Sequence, residues 1–413
     1  MDDLRQRLRR LGIVTGREFR PKPSALHGPD IEALVDGEVL HTAAGACFRV
    51  RRTFEAHMQH GALPLAAWLT VRADTLAGMG GDDALARVEC RRLLFLDVET
   101  TGLGGASLAF LVGVGFFDSS DRLEVHQYFL RDPAEESAML MLLGEVLHHA
   151  AALVTFNGRT FDVPLLASRY VLARQSTSIA DLPNLDLLPP ARRLWRRRLS
   201  SCALSSLEHH VLGVRRTAAD VPGYLIPALY QRYLQTHDAR DMVRVLYHNE
   251  MDILSMVALG AALGRIFEQP TLPTLHIDDR LSLARWFENQ GMWERAEAAY
   301  RLAADEAPDA ELRREALIGL AYLFKRMGRY EEALLLWANL ADLRLDTLGH
   351  EEIAKYHEWR SGDLVQALQW TERGIRLAET WWPGWRRTAA LNALGHRRER
   401  LLRKLAGRAE ERR

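Results

Sequence analysis

The chain has 413 residues, no formal net charge, 48% hydrophobic residues and 26% charged residues. This length favours two or three domains, and the composition is that of an ordinary globular protein, with no overall charge to attract nucleic acid. The absence of any run of 18 apolar residues argues against a membrane partner, and the charged amino terminus lacks a signal peptide's apolar segment, so we expect a cytoplasmic protein.

Residues 1–88 are predicted to form a small amino-terminal module. A helix and a proline-containing linker are expected first, followed by a hairpin that turns near Gly45. The histidines His57 and His60 have no cysteine or acid at ligand spacing, which favours surface or structural roles over metal binding.

Residues 89–270 are predicted to form the central domain. Three consecutive strand patterns begin at Leu93, and a helix then leads into another strand near Leu153. Two of the runs are almost entirely apolar, as expected of strands that are buried on both faces. This order indicates a mixed five-stranded sheet with flanking helices, an α/β fold of the ribonuclease H-like type.

The first of these strands ends in two acids, Asp97 and Glu99. Side chains alternate along a strand, so both carboxylates point to one side, about 7 Å apart. Like charges this close favour a bound cation, and carboxylate oxygens suit Mg²⁺ or Mn²⁺. Taken alone, an Asp-x-Glu pattern at a strand end is more commonly explained by two solvated acids. The interpretation as a cation site therefore depends on whether further acids lie nearby.

Two later segments supply further acids. Asp162 follows an apolar strand and a glycine turn, where it either caps a helix or reaches the place where the Asp97 strand ends. His248 and Asp252 are four residues apart and share a face if the segment is one helix. They form either a surface pair or, given the apolar residues that follow, a pair near a buried boundary where the acid needs a positive partner.

Three motifs resemble the exonuclease motifs of the DEDD superfamily of 3'-5' exonucleases: Asp97-Val-Glu99-Thr-Thr-Gly, Asn157-Gly-Arg-Thr-Phe-Asp162 and His248-x-x-x-Asp252. The wider sequence resembles the bacterial YprB-like branch, which joins a ribonuclease H-like exonuclease domain to tetratricopeptide repeats. The resemblance implies a hydrolase that cleaves phosphodiester bonds of DNA, in preference to RNA, in DNA repair alongside a helicase. It also implies that two divalent ions, Mg²⁺ or Mn²⁺, are held by Asp97, Glu99, Asp162 and Asp252.

The resemblance further implies a residue that orients or deprotonates the attacking water. In the superfamily this is a Tyr four positions, or a His five positions, before the last acid. Here His248 lies four positions before Asp252 and Tyr247 lies five before it. We predict His248, because it shares the Asp252 face, whereas Tyr247 is turned about 100° around the helix. Asp186 and Glu208 are secondary candidates, either as further site acids or as structural partners of the basic segment, and an equal alternative is that they are ordinary strand-end and helix-surface acids.

Residues 275–395 are predicted to form a helical domain of tetratricopeptide repeats. Similar segments begin at Gly291, Gly328 and Gly362, at spacings of 37 and 34 residues. Stacked helix pairs leave a concave surface for a partner protein, although a helical cap that only stabilises the central domain is an equal alternative. Residues 396–413 form a basic tail, either a further helix or a disordered arm.

Basic residues cluster at 5–10, at 192–198 around Trp195, and from 386 onwards. Arginines around a Trp either hold phosphates and stack on a base or form a solvated helix face. The alternatives to a DNA exonuclease are an RNA exonuclease, an endonuclease and a nucleic-acid-binding scaffold that recruits a partner through its repeats. Free buried thiols are expected for the three cysteines, Cys47, Cys90 and Cys202.

Overall fold

The computed structural model describes residues 28–102, 107–344, 346–381 and 384–411, so the helix predicted near the amino terminus lies outside the described residues. The chain divides into two compact units. The first comprises the described residues up to Leu188 together with Ala203–Gly264, and the second comprises Pro189–Cys202 together with the chain from Arg265. The domain boundaries given above stay predictions.

The first unit contains nine strands: β1 (Glu38–Thr42), β2 (Gly45–Phe54), β3 (Gln59–His60), β4 (Leu63–Pro64), β5 (Leu93–Thr100), β6 (Ala109–Phe117), β7 (Leu123–Phe129), β8 (Ala152–Thr155) and β9 (Asn184–Asp186). Seven of them form one sheet in the order β1-β2-β7-β6-β5-β8-β9, and β3 and β4 form a separate pair. Strand β5 pairs antiparallel with β6 and parallel with β8. The sheet is therefore mixed, as predicted.

The predicted number of five strands in this sheet was wrong. The amino-terminal hairpin turns just before Gly45, as expected, but its second strand continues along β7, from Phe48 opposite Phe129 to Phe54 opposite Leu123. Strands β1 and β2 therefore extend the central sheet. The sequence did not reveal this because the pattern of a single strand does not specify its partner.

The helices up to residue 268 are α1 (Ala73–Gly80), α2 (Glu136–His149), α3 (Asp162–Leu172), α4 (Leu188–Trp195), α5 (Leu204–Leu207), α6 (Ile226–Thr236) and α7 (Arg240–Glu268). Helix α7 packs closely on β6 at two glycines. A Cβ on Gly115 would lie 2.6 Å from Cγ2 of Ile253, and one on Gly113 would lie 2.7 Å from Cγ of Asn249. These glycines let the helix backbone approach the sheet beside β5.

The rest of the second unit is almost entirely helical: α8 (Ile277–Asn289), α9 (Trp293–Glu306), α10 (Ala310–Arg326), α11 (Tyr330–Leu343), α12 (Leu348–Tyr356), α13 (Leu364–Trp381) and α14 (Gly384–Glu411). The repeated glycines Gly291, Gly328 and Gly362 have φ values of 72°, 77° and 70° and lie between successive helices. This left-handed conformation favours glycine, which explains the recurring residue. The described part of the predicted basic tail belongs to α14. No helix in the described ranges is long and apolar enough to cross a membrane.

The base-stacking alternative for the 192–198 segment does not fit the position of Trp195. Trp195 is buried, and within the second unit Arg197 pairs with Asp278 and Arg198 pairs with Asp279 at 2.8 Å. The arginines therefore fix the segment to α8. Cys47 and Cys90 are buried thiols, as expected, and Sγ of Cys90 donates a hydrogen bond to the carbonyl of Val71, whereas Cys202 is half-buried.

Candidate active site

The four predicted carboxylates converge at the end of β5. This strand carries Asp97 and Glu99 on one face, with Val98 between them. Asp162 is the first residue of α3, and the backbone of Val98 hydrogen bonds to its carboxylate. Asp252 lies on α7, and its charge acts on both acids of β5. The structure therefore brings together three chain segments that are far apart in sequence.

Burial is the main influence on the pKa values of these carboxylates. It raises the pKa of Asp97 and of Glu99 well above the ordinary value, and the neighbouring carboxylates raise both further. Burial also raises the pKa of Asp162 to about 7, with a further contribution from Asp186. The pKa of Asp252 is raised by burial and opposed by the charge of Arg216. Such a cluster favours either bound protons or bound cations.

His248 lies among these acids. Its Nε2 is 3.8 Å from Oε1 of Glu99 and 3.6 Å from Oδ2 of Asp252. Its Nδ1 is 2.8 Å from Oδ1 of Asp220. When Nδ1 donates its proton to Asp220, Nε2 keeps a lone pair facing the acids, which is the form that accepts a proton or binds a metal.

Tyr247, the alternative to His248, faces a different part of the structure. Its hydroxyl accepts a hydrogen bond of 3.4 Å from the backbone N–H of Thr217. This contact attaches the loop before α6 to the side of α7. The 100° rotation expected between neighbouring helical residues thus separates the two side chains, and only His248 enters the acidic cluster. Its role with the attacking water stays a prediction.

The donor atoms fit a divalent cation. Glu99, His248 and Asp252 each offer one ligand atom, and these three atoms lie within 4.8 Å of one another. Two carboxylate oxygens and an imidazole nitrogen are suitable ligands for Mn²⁺ and similar ions, and the carboxylates also suit Mg²⁺. Asp97 and Asp162 add negative charge beside these three residues.

Sequence reasoning missed Arg216, the positive partner that Asp252 was expected to need. The guanidinium is mostly buried and binds Oδ1 of Asp252 through Nη2. It also holds Glu208 through two hydrogen bonds of 2.8 and 2.6 Å, and its Nη1 lies 3.1 Å from Nδ1 of His248. Nothing in the local sequence distinguishes Arg216 from its neighbour Arg215.

The two secondary candidates have other partners. Glu208 is buried, which excludes the helix-surface interpretation, and it accepts hydrogen bonds from Arg216 and, at 2.6 Å, from Ser255. Asp186 accepts backbone hydrogen bonds from Asn157 at 2.8 Å and from residue 188 at 3.0 Å. Asp186 therefore fixes the turn that leads to Asp162 and influences that acid through its charge.

Asn249 was also missed as a site residue. It is fully buried, its Nδ2 donates to Oδ2 of Asp97 at 2.7 Å, and its Oδ1 accepts from Gln127 at 2.8 Å. The available signal was its position between His248 and Asp252 together with the small Gly113 on β6. These two facts become related only when α7 lies against the sheet.

Comparison with known proteins agrees with the fold. Residues 94–263 match the RNase_H superfamily. The mixed sheet with flanking helices has the architecture of that superfamily, which suggests nuclease activity and binding of nucleic acid. The chain is also 33% identical over 292 residues to the uncharacterized protein YprB of Bacillus subtilis (strain 168), a match that covers 68% of this chain and 69% of the relative. The chain therefore belongs to the YprB family and carries a ribonuclease H-like domain.

Proposed function

We propose that this protein is a metal-dependent DEDD-type exonuclease that removes nucleotides from the 3' end of DNA in DNA repair. The observation that carries the proposal is the convergence of Asp97, Glu99, Asp162 and Asp252 in one largely buried cluster with His248. Buried acids are rarely gathered without positive charge, and the superfamily match supports a nuclease.

The four carboxylates would hold two divalent ions, Mg²⁺ or Mn²⁺. Bound there, such ions would lower the pKa of the attacking water and stabilise negative charge on the phosphate oxygens. His248 accepts the proton of this water at Nε2, while Asp220 fixes the imidazole through Nδ1. The hydrogen bond from Asn249 holds Asp97 in position, so that its carboxylate keeps a single orientation.

DNA as the substrate and the 3'-5' direction are supported by the resemblance of the three motifs to DEDD exonucleases. The helical unit is proposed to consist of tetratricopeptide repeats that bind a partner protein such as a helicase. The support for the repeats is the recurrence of a left-handed glycine between paired helices at Gly291, Gly328 and Gly362.

The test uses the purified full-length chain with Mg²⁺ or Mn²⁺ and four end-labelled substrates, namely single- and double-stranded DNA and RNA. We expect stepwise shortening of DNA from its 3' end. Asp97→Asn abolishes the reaction, whereas Asp83→Asn, a matched change at an exposed acid of the same unit, leaves it intact.

The products also distinguish the alternatives. Preferential shortening of RNA would identify RNA rather than DNA as the substrate. Internal fragments would indicate an endonuclease. Equal cleavage by the wild type and Asp97→Asn would refute the site. Binding of nucleic acid with no Asp97-dependent cleavage would favour the scaffold.

A further inference from the structure

Arg216 lies inside the acidic site. It lies three residues after Gly213, whose left-handed conformation (φ of 70°) ends the π-helical turn at Glu208–Leu212. Only 11% of its side chain is exposed, and its guanidinium contacts Glu208, Asp252, Asp220 and His248. A buried arginine keeps its charge, because the guanidinium does not deprotonate in proteins. A permanent positive charge is therefore built into the place where a cation is proposed to bind.

The two oxygens of Asp252 have different neighbours. Nη2 of Arg216 binds Oδ1, whereas Oδ2 lies 3.6 Å from Nε2 of His248. A metal bound through both oxygens of Asp252 would share Oδ1 with the guanidinium, which would place two positive charges on one oxygen. Arg216 therefore occupies a position from which it competes with a cation for Asp252.

The charge of Arg216 reaches beyond its direct contacts. It acts on the carboxylates of both Asp252 and Glu99. The same field that stabilises ionised carboxylates repels a divalent cation beside them, and this repulsion is strong because water is largely excluded.

Glu208 determines how the guanidinium is directed. It accepts hydrogen bonds from Nε and Nη2 of Arg216 and is itself fixed by Oγ of Ser255 at 2.6 Å. Ser255 in turn contacts Nε2 of His60 at 2.8 Å. This buried chain anchors the guanidinium of Arg216.

We propose that Arg216 is a positioning residue that competes with the divalent cation for Asp252 and thereby limits the metal affinity of the site, with Glu208 setting the strength of this competition. The proposal rests on the metal site of the proposed function. It assigns to Arg216 a role opposite to that of a residue that only preorganises the ligands, because loss of a preorganising residue weakens metal binding.

The experiment is a calorimetric Mn²⁺ titration of the full-length protein. For Arg216→Gln, which removes the charge, we expect Mn²⁺ to bind at least about tenfold more tightly than to the wild type. Arg216→Lys keeps the charge but lacks the planar guanidinium with its paired donors. Its affinity for Mn²⁺ should lie between those of the wild type and Arg216→Gln. Equal or weaker Mn²⁺ binding by Arg216→Gln overturns the proposal.

A second variant tests Glu208 and guards against poor folding of Arg216→Gln. Glu208→Gln keeps the shape and the acceptor for Ser255 but releases Arg216 toward Asp252, so Mn²⁺ should bind more weakly. A double-mutant cycle tests whether this effect requires Arg216: in the Arg216→Gln background, Glu208→Gln should change the affinity for Mn²⁺ clearly less than it does in the wild type. An equal effect in both backgrounds contradicts action through Arg216.

The same titration separates this inference from the proposed function. If the wild type shows no saturable Mn²⁺ binding, or if Asp97→Asn binds Mn²⁺ as the wild type does, the metal site itself is wrong and both proposals fall. If Asp97→Asn weakens binding but Arg216→Gln does not strengthen it, only the role of Arg216 is overturned.

Discussion

Nδ2 of Asn249 donates a hydrogen bond of 2.7 Å to Oδ2 of Asp97, and this bond joins α7 to β5 at the acidic site. The opposite side of the amide accepts a hydrogen bond from Gln127 on β7. Asn249 therefore has a fixed orientation, with its donor directed to the acid. Gly113 on β6 provides the space, because a Cβ there would lie 2.7 Å from Cγ of Asn249.

Gly113→Ala should displace Asn249 and remove the hydrogen bond to Asp97. We expect unfolding free energy to fall by about 1–3 kcal/mol, as for other overpacked sites, and nuclease activity to fall with it. Urea unfolding and the end-label assay measure the two effects. The control is Gly144→Ala on α2, where a new Cβ would lie 3.6 Å from Oη of Tyr170, an ordinary van der Waals distance. Equal effects of the two substitutions would contradict this role for Asn249.

His248→Asn and Tyr247→Phe should have very different effects on catalysis. His248 lies between Glu99 and Asp252, so its loss should reduce kcat by about 10²- to 10⁴-fold, the usual contribution of a general base. Tyr247→Phe removes only a hydroxyl that accepts a 3.4 Å hydrogen bond, so kcat should stay near that of the wild type. If Tyr247→Phe reduced kcat more than His248→Asn did, Tyr247 would be the residue that orients or deprotonates the attacking water.

Stability without divalent ions should depend on the protonation of Asp162. Its pKa is about 7 in the folded protein against 3.8 ordinarily, so between these values the folded state binds more protons than the unfolded state. The contribution of Asp162 to stability is therefore fully present below about pH 4 and is lost as the pH rises toward 7, by at most about 1.4 kcal/mol per pKa unit.

The measurement is the Tm of the wild type and of Asp162→Asn in a chelating buffer across this pH range. The Tm of the variant should rise relative to that of the wild type as the pH increases, because Asn does not ionise. Mn²⁺ should reduce the difference by stabilising the ionised acid. A constant difference between the two proteins would show that Asp162 titrates normally.

Trp195→Ala should destabilise the helical unit without removing a base-stacking residue. The side chain is 1% exposed, and replacement of a buried Trp by Ala lowers unfolding free energy by about 3–5 kcal/mol. Trp359, which is 65% exposed in the same unit, is the matched control, and Trp359→Ala should have a much smaller effect. Thermal unfolding distinguishes them. Equal stability of the two variants would mean that Trp195 is not part of the core.

The acidic residues could be found from sequence because local geometry encodes them. Alternation along one strand pairs Asp97 with Glu99, and the four-residue helical spacing pairs His248 with Asp252. Asp162 was found from its position at a helix start after a strand and a glycine turn.

The partners of these acids could not be found in the same way. Arg216 belongs to a loop whose contact with α7 depends on the tertiary fold, and 54 basic residues offer many equivalent candidates. The alternatives for the arginines around Trp195 stayed open for a related reason, since a basic segment has the same composition whether its charges face solvent or pair with acids such as Asp279.

The pairing of β2 with β7 has a practical consequence for fragments of this protein. A fragment beginning at residue 89 would leave β7 as a long outer strand with unpaired backbone donors and acceptors, which is a template for self-association. Among the described residues the outer strand on this side of the sheet is β1, which has five residues, and Glu38 on it forms an ion pair with Arg49 of β2. The amino-terminal hairpin thus protects the sheet from polymerisation, and expression of the nuclease-like domain alone should retain it.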